Sequence, residues 1–119
     1  MIINLDNDTF KEKVFKYDTE KEWKFEGDKP AIVDFSAIWC GPCRMVGPIL
    51  EEIGKDFKGK VDVYKVNIDE NPELSQAFGI QSIPAILFVP MEGQPQMSLG
   101  ALPKSTIETA IKEVLKIEE

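Results

Sequence analysis

Apolar residues recur along this chain at two spacings, and the spacing changes from one segment to the next. Ile2-Ile3-Asn4-Leu5 is a short strand candidate. Residues 31–36, Ala-Ile-Val-Asp-Phe-Ser, are apolar on both alternating faces apart from Asp34, which is the pattern of a central buried strand. Residues 61–68 form a second buried run rich in β-branched side chains, and 85–89 a third. A turn from Pro90 to Pro95 leads into 96–101, read as a hairpin partner.

Helical spacing fills the intervals. Asp6 is placed to cap a helix whose apolar positions include Phe10, Val14 and Phe15. From Gly41 a longer pattern runs through Met45, Val46, Ile49, Leu50, Ile53 and Phe57. Pro48 lies inside it, removes one donor and predicts a kink. Asn71-Pro72 opens a short helix over 74–78, with Gly79 near its end. The last helix shows Ile107, Ala110, Ile111, Val114 and Leu115 on one face. Its start has two readings: a capping box of Ser105 with Glu108, or Pro103 in the first turn. The charged stretch 16–29, where Trp23 and Phe25 alternate against Lys24 and Glu26, reads as an excursion with a short edge strand. The order is βαβαβαββα, a single α/β domain over residues 1–119 with no repeat and no linker.

Composition narrows the function classes. The chain has 119 residues, the length of one ordinary domain, with 43% apolar and 29% charged residues. The net charge of −7, with no basic block, argues against nucleic acid or an anionic membrane as the main partner. No window approaches the roughly 18 apolar residues of a spanning helix. The first twenty residues are rich in Asp, Glu and Lys and contain no apolar stretch resembling a signal peptide. The sequence as given therefore reads as cytoplasmic, or periplasmic where a leader has been removed.

The two cysteines of the chain, Cys40 and Cys43, stand three positions apart between the first buried run and the long helix. Two thiols at that spacing at a helix start can close and reopen a small disulfide ring, which reads as a redox site. A structural zinc site needs four Cys or His ligands, and the chain has two Cys and no His. A thiolate-held cluster fails on the same count. A purely structural bridge closing so short a loop would constrain little of the unfolded chain.

The segment Val33-Asp34-Phe35-Ser36-Ala37-Ile38-Trp39-Cys40-Gly41-Pro42-Cys43-Arg44 resembles the active-site strand and helix start of the thioredoxin family. So do Pro48, Lys65-Val66-Asn67-Ile68-Asp69, Gly79-Ile80, Ile83-Pro84 and Gly100-Ala101, so the similarity runs over nearly the whole chain. The resemblance implies the thioredoxin fold, a mixed five-stranded sheet flanked by about four helices. Three features depart from it. The stretch around Tyr17 to Gly27 looks like an insertion of roughly ten residues. Ser36 stands where the family usually has an aromatic, and the Pro90–Pro95 turn differs from the usual short one.

By this resemblance the chain reduces protein disulfides. Cys40, preceding the helix where N–H groups and the dipole favour a thiolate, is the expected nucleophile. Cys43, one turn inside and expected to be less exposed, is the resolving thiol. The Gly41-Pro42 dipeptide resembles that of the reducing members, and Pro42 suits the first helical turn. Asp34, a carboxylate in a buried strand, should have its pKa raised by desolvation. The family pattern assigns it proton exchange with the resolving cysteine and places Lys65 beside it. Trp39, Gly41, Pro42, Ile83, Pro84, Gly100 and Ala101 match the positions of the substrate surface, with Pro84 resembling the family's cis-proline. The resemblance implies no bound cofactor and no metal. It implies reducing equivalents from a nicotinamide-dependent, thioredoxin reductase-like enzyme, disulfide-containing client proteins and a monomer. The alternatives are a disulfide oxidase or isomerase, and a thioredoxin-fold binding subunit that does not use its redox pair.

Overall fold

The computed structural model describes residues 2–118. Its elements follow the expected order: β1 (Ile2–Leu5), α1 (Asn7–Lys13), β2 (Ala31–Ser36), α2 (Gly41–Asp56), β3 (Asp62–Asn67), α3 (Pro72–Ala77), β4 (Ala85–Val89), β5 (Gln96–Leu99) and α4 (Lys104–Glu113). The five strands lie in the order β1-β3-β2-β4-β5. β1, β3 and β2 run parallel, because α2 carries the chain back between β2 and β3. β4 and β5 are antiparallel and joined by the short turn. The fold is the mixed sheet with four helices that the resemblance implies.

β2 is hydrogen-bonded on both sides, and all six of its residues are buried. Its alternating side chains therefore feed two separate cores. Val33 and Phe35 face Phe10, Val14 and Leu74 on the α1 and α3 side. Ile32 faces Val46, Leu50, Ile53, Ile107 and Ile111 on the α2 and α4 side. Each fully buried Leu, Ile or Phe in these layers stabilises the fold by about 1.5–3 kcal/mol. Asp34 and Ser36 share the Ile32 face. The parallel register sets Asp34 against Lys65 and Ser36 against Asn67, and β1 adds Asn4 beside Lys65. One end of this face is thus polar where the rest is apolar.

Three local expectations change. No strand forms in residues 16–30; the segment packs beside α1 instead. The N–H of Glu26 donates to the Val14 carbonyl at 2.8 Å, and the Phe15 and Trp23 rings lie 4.6 Å apart. Trp23 and Phe25 both reach the first core layer, so their alternation serves packing and not sheet pairing. The capping box at Ser105 is not used. Pro103, extended at φ −65° and ψ 156°, is the N-cap, and its carbonyl accepts from Thr106 and Ile107. Ser105 then lies inside the first turn, where its hydroxyl cannot cap. β3 is also one residue shorter at each end than the apolar run suggested.

Asp6 caps α1 as expected, with Oδ1 accepting from the Thr9 N–H at 2.8 Å and Thr9 Oγ1 accepting from the Asp6 N–H at 2.8 Å. α2 continues unbroken through Pro48. Among the described residues no helix is long and apolar enough to cross a membrane.

Candidate active site

β2 delivers the chain from the sheet centre to the loop of residues 37–39, and α2 starts immediately afterwards. Cys40 is the N-cap of α2, with extended backbone at φ −86° and ψ 113°. Its sulfur accepts a hydrogen bond from the Cys43 N–H at 3.2 Å. A helix start leaves its first N–H groups without internal partners, so a sulfur at the cap supplies one acceptor. Pro42 in the first turn removes a donor that would otherwise lack a partner.

Cys40 and Cys43 are joined in a disulfide, with Cα atoms 5.3 Å apart. Both pack against Ala37, Ile68 and Ile83. The expected difference in exposure is absent: Cys40 is 5% and Cys43 6% exposed. Closing the ring draws both sulfurs into one compact patch, so exposure in the oxidised form does not tell the thiols apart. Their position on the helix does.

The surroundings of the pair match the expected surface in part. Trp39 is 64% exposed, and Gly41 and Pro42 are exposed beside it. The Ile83–Pro84 bond is cis, and half-buried Ile83 touches the cysteine cluster. Gly100 reaches the same place through its N–H, which donates to the Pro84 carbonyl at 2.8 Å. Gly100 has φ +92°, a conformation that disfavours a side chain. Ala101 lies further along, lining a small groove with Met45, Val46 and Ile49.

Asp34 is 1% exposed, and its Oδ1 has no hydrogen-bond partner among the described residues. Burial pushes its pKa up to about 6, and the charge of Lys65 partly offsets that rise. Lys65 is its register partner on β3, as the resemblance implied. Lys65 also lines a cavity with Cys43, Arg44 and Gly47. One group of residues thus combines a buried acid, a cation and the inner cysteine.

Two further contacts hold the site and were not legible in the sequence. Arg44 Nε and Nη2 donate to the Ile38 carbonyl at 3.3 and 3.0 Å, tying the loop to the helix it precedes. The Trp39 indole N–H donates to Asp69 Oδ2 at 2.7 Å, which fixes the exposed ring against the turn after β3. Arg44 reaches backward over six residues and Asp69 across thirty, so neither pairing has a periodic signal. No group of three His, Cys, Asp or Glu residues able to hold a metal occurs among the described residues.

The comparisons with known proteins point one way. A family model described as Thioredoxin matches residues 1–113. The thioredoxin of Borreliella burgdorferi is 47% identical over 113 residues, covering 95% of this chain and 97% of that protein. Thioredoxin 1 of a Nostoc species is 42% identical over 97 residues, covering 82% of this chain and 91% of that one. The crystal structure of chloroplastic thioredoxin z superposes with a TM-score of 0.83 at 27% identity, over 98% of this chain and 96% of that chain.

Proposed function

This chain belongs to the thioredoxin family and is a thiol–disulfide oxidoreductase with protein-disulfide reductase activity, and we propose that Cys40 is its nucleophile and Cys43 its resolving thiol. The observation that carries the assignment is the capping geometry: Cys40 Sγ sits on the Cys43 N–H at the start of a helix of 16 residues. That N–H and the helix dipole stabilise negative charge on Cys40 and not on Cys43, which lies inside the first turn.

The reduction then runs in two exchanges. The Cys40 thiolate attacks one sulfur of the substrate disulfide, and the other substrate sulfur leaves as a thiolate. Cys43 attacks Cys40, forming the bond seen here and expelling the second substrate sulfur. The substrate disulfide gains two electrons and two protons, and the dithiol loses them. We assign the proton of Cys43 to Asp34, which burial keeps protonatable close to neutral pH, with Lys65 steadying the ionised form. The substrate lies across Trp39, Gly41, Pro42, Ile83, Pro84, Gly100 and Ala101, its extended backbone running beside Ile83.

The chain itself carries no bound cofactor. Reducing equivalents come, in this reading, from a nicotinamide-dependent, thioredoxin reductase-like enzyme docking on the same surface, and the setting is cytoplasmic, where such a reductant works. The test is adduct trapping. Mixed with an oxidised protein, Cys43→Ser accumulates a covalent adduct visible by mass spectrometry, and Cys40→Ser forms none and reduces nothing. The reverse pattern exchanges the two roles.

A further inference from the structure

Two polar atoms on the α2-facing side of β2 are buried and have no hydrogen-bond partner among the described residues: Asp34 Oδ1 and Ser36 Oγ. Both residues are 1% exposed, and at a separation of two they project from the same face of the strand. Beside Ser36 a cleft of about 560 Å³ opens at the carboxyl ends of β1, β3 and β2. Its walls include Asn4, Ser36, Lys65, Asn67, Asp6 and Glu70. A second cavity of about 460 Å³ is lined by Cys43, Arg44 and Gly47, with Lys65 again in its wall. Lys65, the register partner of Asp34, is therefore common to both spaces. Cys43 lies on one side of it and Ser36 on the other.

We propose that Ser36 is a positioning residue that keeps a proton route open between Asp34 and bulk solvent through the cleft lined by Asn4, Ser36, Lys65 and Asn67. The inference rests on the assignment of Asp34 to proton exchange with Cys43. A buried hydroxyl without a protein partner needs a donor or acceptor from elsewhere, and a polar space of this size admits water. The walls suit water better than an ion, since the charge of Lys65 is balanced there by Asp6 and Glu70.

The step balances as follows. As Cys43 Sγ bonds to Cys40 Sγ, the Cys43 S–H bond breaks and its proton passes to the Asp34 carboxylate. The Cys40–substrate bond breaks, and its electron pair leaves with the substrate sulfur, which takes a proton from solvent. Asp34 then returns its proton through water beside Ser36. The groups facing Asp34 are Lys65 from β3, the two cysteines and Arg44 from α2, and apolar Ile86 from β4. Asp6 and Glu70 stand at the cleft.

Three variants separate the hydroxyl from the space. Ser36→Val has the shape of Ser36→Thr without the hydroxyl, and Ser36→Trp fills the cleft. Insulin reduction is followed from pH 5 to pH 9 in each, alongside Asp34→Asn, and the Asp34 carboxyl is titrated by infrared difference spectroscopy in the oxidised proteins. The valine and tryptophan variants should be about tenfold slower near pH 7 with an altered pH profile, and threonine should restore the wild-type profile. Asp34 should titrate higher in the tryptophan variant, because its surroundings lose water. Wild-type profiles in the valine and tryptophan variants, with Asp34→Asn slow, overturn this inference alone, as does a threonine variant as slow as the valine one. An unaltered profile in Asp34→Asn overturns the assignment of Asp34 and this inference with it. If the tryptophan variant does not fold, the valine and threonine pair decides.

Discussion

At the scale of single residues, Asp34 is the group with the clearest pH signature. Its pKa is raised to about 6 in the folded chain, chiefly by burial and against the pull of Lys65. The unfolded value is about 3.9, so the folded state binds the proton more tightly. The sign follows from that. The contribution of this residue to stability is fully present below about pH 4, is lost as pH rises through about 6, and is gone above that. A rise of this size in a carboxyl pKa corresponds to about 3 kcal/mol. Asp34→Asn cannot ionise and avoids the loss. The oxidised variant should therefore gain about 2–3 kcal/mol on wild type at pH 8 relative to pH 4, and should reduce disulfides more slowly. Urea unfolding of both proteins at the two pH values measures the difference. A gap that does not widen with pH would show that the carboxylate is firmly solvated or paired. Trp39 illustrates the opposite case at this scale. It is highly exposed yet held in place, because a single hydrogen bond to Asp69 replaces packing.

At the scale of elements, the contrast is between α2 and the excursion after α1. α2 buries Val46, Leu50 and Ile53 in one stripe, and the salt bridges from Lys104 to Glu52 and Asp56 join it to α4 at 3.0 Å each. Residues 16–30 have no regular hydrogen bonding and hold on through a few contacts. These are Lys16 with Glu26, Lys11 with Asp18, the Phe15–Trp23 pair, and Tyr17 against Phe10. Exposed ion pairs contribute little, so local opening should begin here. Limited trypsin digestion of the oxidised protein should cut first after the exposed Lys21 or Lys24, before any lysine of α2 or α4. Mass spectrometry of the earliest fragments identifies the site. A first cut within α2 would mean that the excursion is more firmly docked than its contacts suggest.

At the scale of the whole molecule, the radius of gyration is 13.1 Å, close to the roughly 13.5 Å that scaling gives for a chain of this length. The added segment is therefore packed against the body and does not extend from it. The sheet carries the redox pair at the end of its central strand, and the net charge of −7 leaves the exposed rim around Ile38, Trp39 and Met45 as an apolar area on an acidic surface. With Gly-Pro between the cysteines and no histidine in the chain, nothing but the helix start is available to stabilise the reduced thiolate. The Cys40/Cys43 pair should therefore equilibrate with a glutathione buffer almost entirely as the disulfide, making it a reductant. Alkylation of the free thiols at set buffer ratios reads the equilibrium. A pair that stays reduced across ordinary ratios would place the protein among the disulfide oxidases.

Much of this is legible in the chain itself. The period-two and helical runs determine the element order, since burying an apolar face is a local demand that each segment states on its own. The spacing of Cys40 and Cys43, the proline between them and the lone carboxylate in a buried strand name the chemistry, because no bland role suits those residues there. Tertiary structure decides what depends on neighbours remote in sequence. Only the register brings Asp34, Ser36, Lys65 and Asn67 onto one face, and only the fold of the loop sets Trp39 on Asp69 and Arg44 on Ile38. The same limit explains the segments where pattern and structure part. Trp23 and Phe25 alternate like a strand, but the partner they find is a core layer beside α1. Ser105 resembles a cap, but the helix already begins at Lys104, where Pro103 has set the backbone. A sequence states which faces must be covered, and packing selects what covers them.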